Sequence, residues 1–279
     1  MNKRTKAILL LLLAGLLWST GGVIVKTSTE NPFVISSVRG LVAAVVFFFA
    51  LKCRPKFTFS KPQVIGAFAY SFVLTGFVVA TSLTTAANAI LLEFTSPIYI
   101  AIIGFFVLKE KLHRSDYLAV VGVLIGMILL MSNNIGGGSV IGNIVAASTG
   151  LTYGIFIVCL RLQKDGSPYE TVLLGNVLTF LIGAPFIFMY PPELGSMLPI
   201  VFMGVFQIAV PYLLMAYASK YAKAIDIPII TSIEPLLNPV WVFIFTGENP
   251  GIRGVIGGGI LLATVVLKSI SGIRQTEPK

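Results

Sequence analysis

Charged residues, cysteine and histidine are all scarce in this sequence. Of its 279 residues, only 11% are charged and 56% are hydrophobic, which excludes a water-soluble domain with a polar surface. The single histidine, His113, excludes a histidine-based metal cluster, and the two cysteines, Cys53 and Cys159, provide no disulfide framework. Phosphate-binding glycine loops, Gly-x-Ser-x-Gly and His-Glu-x-x-His are also missing. We therefore expect no metal site, no cofactor and no enzyme of these classes.

Long apolar runs make up most of the chain. A helix needs about 20 mostly apolar residues to cross a bilayer. By this measure the sequence predicts ten spanning helices: 7–25, 33–51, 63–83, 86–108, 116–132, 140–160, 169–190, 197–219, 224–246 and 251–270. We expect an all-α protein that crosses the lipid bilayer ten times.

The basic residues indicate how these helices are oriented. If successive loops alternate sides, 17 of the 20 lysines and arginines fall on one side, whereas Lys26 and Arg253 fall on the other. Because cytoplasmic loops carry such an excess, we expect both termini in the cytoplasm and a location in the plasma or inner membrane. The net charge of +9 is spread over short loops instead of one face, so we expect no nucleic-acid partner.

The two halves of the chain repeat each other weakly. Ten helices divide into two sets of five, and an odd number per set turns the second set upside down relative to the first. We therefore predict two inverted repeats, residues 1–133 and 134–279. The matched pairs, at offsets of 135 to 138 residues, are Gly15 and Gly150, Trp18 and Tyr153, Pro97 and Pro235, and Glu110 and Glu248.

This pattern resembles the EamA-type domains of the drug/metabolite transporter superfamily. The resemblance implies two inverted five-helix repeats around a central cavity, lined by helices 1, 3, 4, 6, 8 and 9. It also implies a carrier of small metabolites, since many members export amino acids or related compounds. The residues that carry the resemblance are Ala86, Pro97 and Glu110 in the first half, Glu234, Pro235, Gly247 and Glu248 in the second, and Gly257, Gly258 and Gly259 in the last helix.

Two carboxylates lie near the middle of predicted helices, Glu93 in the fourth and Glu234 in the ninth. A charge at the bilayer centre costs at least about 3 kcal/mol, so such a group faces a cavity or a partner. Pro97 removes the helix hydrogen bond to the carbonyl of Glu93, which concentrates acceptors there. We predict a site for a cation, an amine or a proton. The alternative is structural: Glu93 would pair with Arg39 or bond to helix backbone.

Polar and aromatic residues in other spans extend this predicted site. A polar stripe follows one face of the ninth helix at helical spacing, and Gln207 stands four residues before Pro211, as Glu93 stands before Pro97. Trp18 and Tyr153 are candidate cavity walls that can stack on a cation or ring, although packing alone also explains such aromatic residues. The stripe consists of Thr231, Glu234, Asn238 and Trp241, and the predicted helix breaks are at Pro97, Pro211 and Pro235.

Three further charged positions have structural explanations. Arg39 is the one basic residue well inside a predicted span, and we expect its long side chain to reach the outer interface near Lys26. Its alternative role is a counter-ion for Glu93 or for a substrate carboxylate. We expect Glu110 to pair with loop groups at its helix end, and His113 to be a solvated surface residue.

Together these features predict a secondary transporter. The substrate would be a small organic metabolite, amine-bearing because two acids have no matching lysine nearby, and we expect export by alternating access. The same acids are candidates for carrying a coupling proton, and a homodimer is left open. Rival interpretations are a membrane transferase that uses Glu93 and Glu234 as acid and base, a passive channel and a lipid flippase.

The predicted orientation is testable with single cysteines placed in a variant lacking Cys53 and Cys159. Cysteines at positions 134 and 195 should react with a membrane-impermeant thiol reagent in intact cells. Those at positions 56 and 164 should stay unmodified until the membrane is opened. Labelling of position 56 from outside would contradict the orientation and, with it, the inverted repeat.

Overall fold

The computed structural model of the protein describes residues 2–19, 30–132, 138–237, 240 and 251–274. These stretches are helical apart from short loops and turns. The elements are α1 Lys3–Ser19, α2 Pro32–Ala50, α3 Lys61–Leu83, α4 Ala86–Leu108, α5 Arg114–Met131, α6 Val140–Leu162, α7 Pro168–Met189, α8 Leu194–Ala218, α9 Asp226–Thr231 and α10 Gly251–Arg274.

Eight of these helices, α2 to α8 and α10, are long and apolar enough to cross a membrane, and their bounds differ from the predicted spans by at most four residues. The described part of the first predicted span is α1, which has 17 residues. Much of the ninth span lies outside the described residues. The chain is therefore a multi-pass membrane protein, while the count of ten spans and the orientation remain predictions.

Local sequence explains where several helices begin. Asn31 and Ser139 accept hydrogen bonds from the amides of Phe33, at 2.9 Å, and Gly142, at 3.0 Å. These side-chain oxygens pair amides that have no partner inside the helix. Pro32 occupies the first turn of α2, where the missing N–H costs nothing because no helical acceptor precedes it.

Three of the helices are interrupted within the protein. The first piece of α4 ends at Glu93 and the second begins at Ser96, while α9 ends at Thr231 and residues 233–237 form a further helical turn. In α8 a π-helical turn, Gly204–Ala209, interrupts the α-helix just before Pro211. A proline donates no hydrogen bond and crowds the preceding turn, so each interruption lies beside a proline.

Helix pairs that pack together in the bundle have counterparts when each helix is replaced by the corresponding helix of the other half. Helix α3 packs on α6 as α8 packs on α1, and α4 packs on α6 as α9 packs on α1. The pairs α2–α7 and α5–α10 each join one helix of the first half to one of the second. Glycine allows the closest approach: a Cβ atom on Gly257 would lie 2.4 Å from the amide nitrogen of Leu130.

The outer surface is apolar along the lengths of the helices. Large side chains such as Phe106, Leu118 and Val140 are more than 70% exposed. A water-soluble monomer rarely exposes so much contiguous apolar surface, whereas lipid chains solvate it well. This exterior supports the multi-pass membrane assignment independently of helix length.

An ionic cluster joins α1, α5, α9 and α10 at one end of the bundle. The ammonium of Lys268 contacts the carboxylates of both Asp116 and Asp226, the latter at 2.8 Å. Arg4 lies 3.3 Å from Asp226, and Lys223 lies 3.8 Å from Asp116. The side chains of Asp116, Asp226 and Lys268 are 0%, 2% and 6% exposed. We define these five residues as the end cluster.

The end cluster should contribute strongly to stability because breaking a buried ion pair leaves uncompensated charge, at a cost of about 3 to 5 kcal/mol. We expect Lys268→Met to lower the midpoint of thermal unfolding in detergent clearly. Lys164→Met is the matched control, since Lys164 forms only an exposed pair with Asp165 at 4.0 Å, worth under about 1 kcal/mol. Equal midpoints for the two variants would contradict a structural role for the cluster.

Candidate functional site

A cavity of about 110 Å³ lies at the centre of the bundle, between α1, α2, α3, α4, α6, α8 and residues around the break in α9. The family resemblance implied six of these seven helices, and the structure adds α2. The volume accommodates several water molecules or one small organic molecule. The polar and aromatic residues that line it are Trp18, Arg39, Phe77, Glu93, Phe94, Ser96, Tyr153, Gln207, Tyr212, Thr231 and Glu234.

The two acids reach this cavity from two of the three interrupted helices, α4 and α9. Glu93 ends the first piece of α4, and Glu234 lies just beyond the interruption at Ser232. The sequence predicted one continuous polar face through Thr231 and Glu234. The structure instead interrupts the helix between them, yet both line the cavity. Asn238 and Trp241, the other members of that stripe, lie outside the described residues.

The breaks occupy corresponding places in the two halves. At the offset of 138 residues that relates Pro97 to Pro235, Glu93 corresponds to Thr231, and Ser96 corresponds to Glu234. All four of these polar residues line the cavity. Helices α4 and α9 therefore each present one carboxylate and one hydroxyl, in opposite order along the chain.

Two glycines allow the neighbouring helices to pack closely against these breaks. A Cβ atom on Gly150 of α6 would lie 2.7 Å from the carbonyl oxygen of Leu92 in α4. A Cβ atom on Gly15 of α1 would lie 3.1 Å from the carbonyl oxygen of Thr231 in α9. Any side chain at either glycine would push the helix away from the break, so the matched glycines fix the width of the cavity.

Trp18 stands one turn after Gly15 and braces the cavity wall. Its indole Nε1 donates a hydrogen bond of 2.7 Å to the carbonyl of Gln207. That carbonyl has lost its usual helical donor because residue 211 is a proline. The indole ring also packs edge-to-face on Tyr212, with the ring centres 5.1 Å apart. The kink in α8 and the position of Trp18 thus depend on each other.

Tyr153 stands one turn after Gly150 and borders the cavity from the opposite half. Its hydroxyl contacts the sulfur of Met215 at 3.6 Å. Phe156 lies beside it and joins an aromatic cluster with Tyr70 and Tyr212. Sequence analysis missed Tyr212, whose position directly after Pro211 was the available signal.

Arg39 does not reach the membrane interface, so that expectation is wrong. Its side chain belongs to a residue only 7% exposed, and it lines the same cavity as the two acids. Over the described stretches, no carboxylate lies within the 4 Å of an ion pair with Arg39, and Glu93 and Glu234 likewise form no ion pair. Helices α7 and α8 pack against α2, and the guanidinium of Arg39 extends into the bundle.

Two charged residues predicted to be structural lie away from the cavity. Glu110 accepts a hydrogen bond from Arg161 Nε at 2.8 Å and another from the amide of Ala224 at 3.1 Å. His113 is exposed at the start of α5, where its amide donates to Asp116 at 2.8 Å. Within the part of the chain that the structure describes, no group of His, Cys, Asp or Glu is arranged to hold a metal ion.

Comparison with known proteins agrees with this architecture. The chain is 26% identical to an uncharacterized transporter of Archaeoglobus fulgidus, over 92% of this chain and 94% of the relative. It is 23% identical to an uncharacterized transporter of Clostridium kluyveri, over 98% and 96% of the two chains. A similar crystal structure, at a TM-score of 0.82 and 19% identity, covers 96% of this chain and 99% of its own and shows the same fold.

The model of the EamA-like transporter family matches twice, at residues 5–132 and 140–270. The two matches leave out only the ends of the chain and seven residues between them. On this evidence the chain belongs to the EamA-like transporter family.

Proposed function

We propose that the protein is a secondary transporter that moves a small, amine-bearing organic metabolite through the central cavity by alternating access. The observation that carries this proposal is that two carboxylates on two broken helices line one cavity in the bundle. Two like charges in such a place repel each other, and a cation or a proton between them lowers that cost. We infer export as the direction, following the family resemblance.

The inverted repeat of residues 1–133 and 134–279 is part of this proposal. The two family matches, at 5–132 and 140–270, fit that division. The corresponding helix pairs and the matched glycines at the two breaks also support it. Inverted repeats around a site at the bilayer midplane allow one half to rock against the other, so that the site opens to each side in turn.

Polar groups close the ends of the bundle at corresponding places. One end has the end cluster, which includes Asp226. At the same 138-residue offset, the first half has Asn88, which donates to Thr84 Oγ1 and to Asn143 Oδ1, both at 3.3 Å. We infer that opening the transporter to one side separates the end cluster, and opening it to the other separates this neutral group.

The acids provide the first test of the proposal in proteoliposomes. We expect Glu93→Gln to reduce uptake of a labelled substrate sharply, because the glutamine keeps the shape of the side chain but removes its charge. Glu234→Gln should have a smaller effect, since Thr231 still provides a hydroxyl beside it. Uptake at several pH values and thermal unfolding in detergent would be measured for both variants.

Parental uptake by Glu93→Gln across that pH range would contradict a role for Glu93 with substrate or proton. Product formation from a candidate substrate without vesicle uptake would favour the transferase alternative instead. Equilibration of solute without counterflow would favour a channel.

Trp18 and Gln207 provide the second test, because Trp18 both lines the cavity and braces α8. Trp18→Phe should weaken substrate binding and leave the Gln207 carbonyl unpaired, at a cost of about 1 to 3 kcal/mol. Gln207→Ala removes a cavity group but keeps that hydrogen bond, so we expect weaker binding with little change in the unfolding midpoint. Normal binding by both variants, measured by ligand-induced thermal shift, would place the substrate elsewhere.

A further inference from the structure

Arg39 is a buried cation whose partner is missing from the described part of the protein. Its Nε and Nη1 atoms are inaccessible to solvent and have no hydrogen-bond acceptor among the residues that the structure describes. Lys268, which is equally buried at 6% exposed, contacts two carboxylates. An unpaired buried charge is expensive, and a guanidinium has five N–H donors to satisfy. Arg39 is therefore arranged for an acceptor that the described residues do not provide.

Gln207 places a second unsatisfied donor in the same cavity. This residue is 4% exposed, and its Nε2 atom has no acceptor within the described ranges. The π-helical turn that includes Gln207 packs directly against α2: a Cβ atom on Gly204 would lie 3.2 Å from the carbonyl oxygen of Arg39. Two neighbouring helices thus direct unsatisfied donors, one of them charged, into one space.

The cavity consequently has acceptors and donors on different helices. The carboxylates of Glu93 and Glu234 come from the broken helices α4 and α9, whereas Arg39 and Gln207 come from α2 and α8. A ligand with only a positive charge would contact the acids and leave Arg39 unpaired. A ligand that also has a carboxylate would satisfy both groups.

We propose that Arg39 and Gln207 form a carboxylate subsite, and that the cavity takes a small zwitterion whose amine contacts Glu93 and Glu234. The planar guanidinium can hold a carboxylate through two parallel hydrogen bonds, and the Gln207 amide adds a further donor. This inference rests on the transporter function proposed above. It narrows the substrate class from amines in general to compounds with an amine and a carboxylate, which excludes simple organic cations.

Ligand binding tests the subsite directly. The probes are the standard L-amino acids, added to purified protein in detergent, and the best binder is then compared with its primary amide and its decarboxylated amine. We expect an amino acid to raise the unfolding midpoint, and both derivatives to bind about 10- to 100-fold more weakly because they lose charge-assisted hydrogen bonds. Arg39→Lys should reduce that preference, since an ammonium cannot form the paired contact.

Ligand-free stability tests the missing partner of Arg39 independently. We expect Arg39→Met to leave the unfolding midpoint unchanged or to raise it, because no pairing is lost and a buried charge is removed. Lys268→Met is the matched control, in which an equally buried cation loses its two carboxylates and the midpoint falls. If Arg39→Met lowers the midpoint as much as Lys268→Met does, Arg39 has a structural partner and the subsite is wrong.

The remaining outcomes separate the subsite from transport. Equal affinity for an amino acid and its decarboxylated amine would overturn the subsite, while counterflow of that amine would still support the transporter. Failure of every amino acid to raise the midpoint would also overturn the zwitterion proposal. Binding with the expected preference, but without uptake into proteoliposomes, would support the subsite and overturn the transport function.

Discussion

The constraint on which the rest of this structure depends is that backbone groups inside a bilayer must find partners within the protein. A helix can be broken there only where neighbouring groups or a cavity take over the released donors and acceptors. At α4 this is done by Thr95, whose hydroxyl donates to the carbonyl of Leu92 at 2.6 Å. At α8 the indole of Trp18 donates to Gln207. The helix breaks, the cavity and its aromatic walls therefore depend on one another.

Charged residues have different surroundings at the end of the bundle and in its middle. In the end cluster, each buried charge has at least one partner of opposite sign, which suits a contact that stabilises one arrangement of helices. In the cavity, Glu93, Glu234 and Arg39 form no ion pairs with described residues. Charges kept apart in this way are costly in the empty protein. In the proposed function they gain partners from a ligand of complementary charge, and this dependence on charge makes binding selective.

Sequence analysis located several residues of the cavity because polar, ionisable and aromatic residues stand out in apolar spans. Glu93, Trp18 and Gln207 were found by this contrast, and all three line the cavity. It failed for Arg39, because a long basic side chain can reach the interface or the core, and only packing by neighbouring helices decides which. It also missed the pairing of Asp116 with Lys268, since charges near helix ends are ordinary in a sequence and become unusual only when buried together.

The two halves have helix breaks at corresponding positions, but the side chains at those positions differ. Corresponding positions hold Glu93 and Thr231 at the breaks, and Asn88 and Asp226 near the bundle ends. If the halves exchange roles during transport, the inward-facing and outward-facing states cannot have equal free energy. Under the proposed transport cycle, one state separates the charged end cluster and the other breaks the neutral hydrogen bonds of Asn88, and burial makes the charged separation the costlier step. If the protein works by the proposed alternating access, such a difference gives it a preferred resting side, in which the end that has the end cluster stays closed.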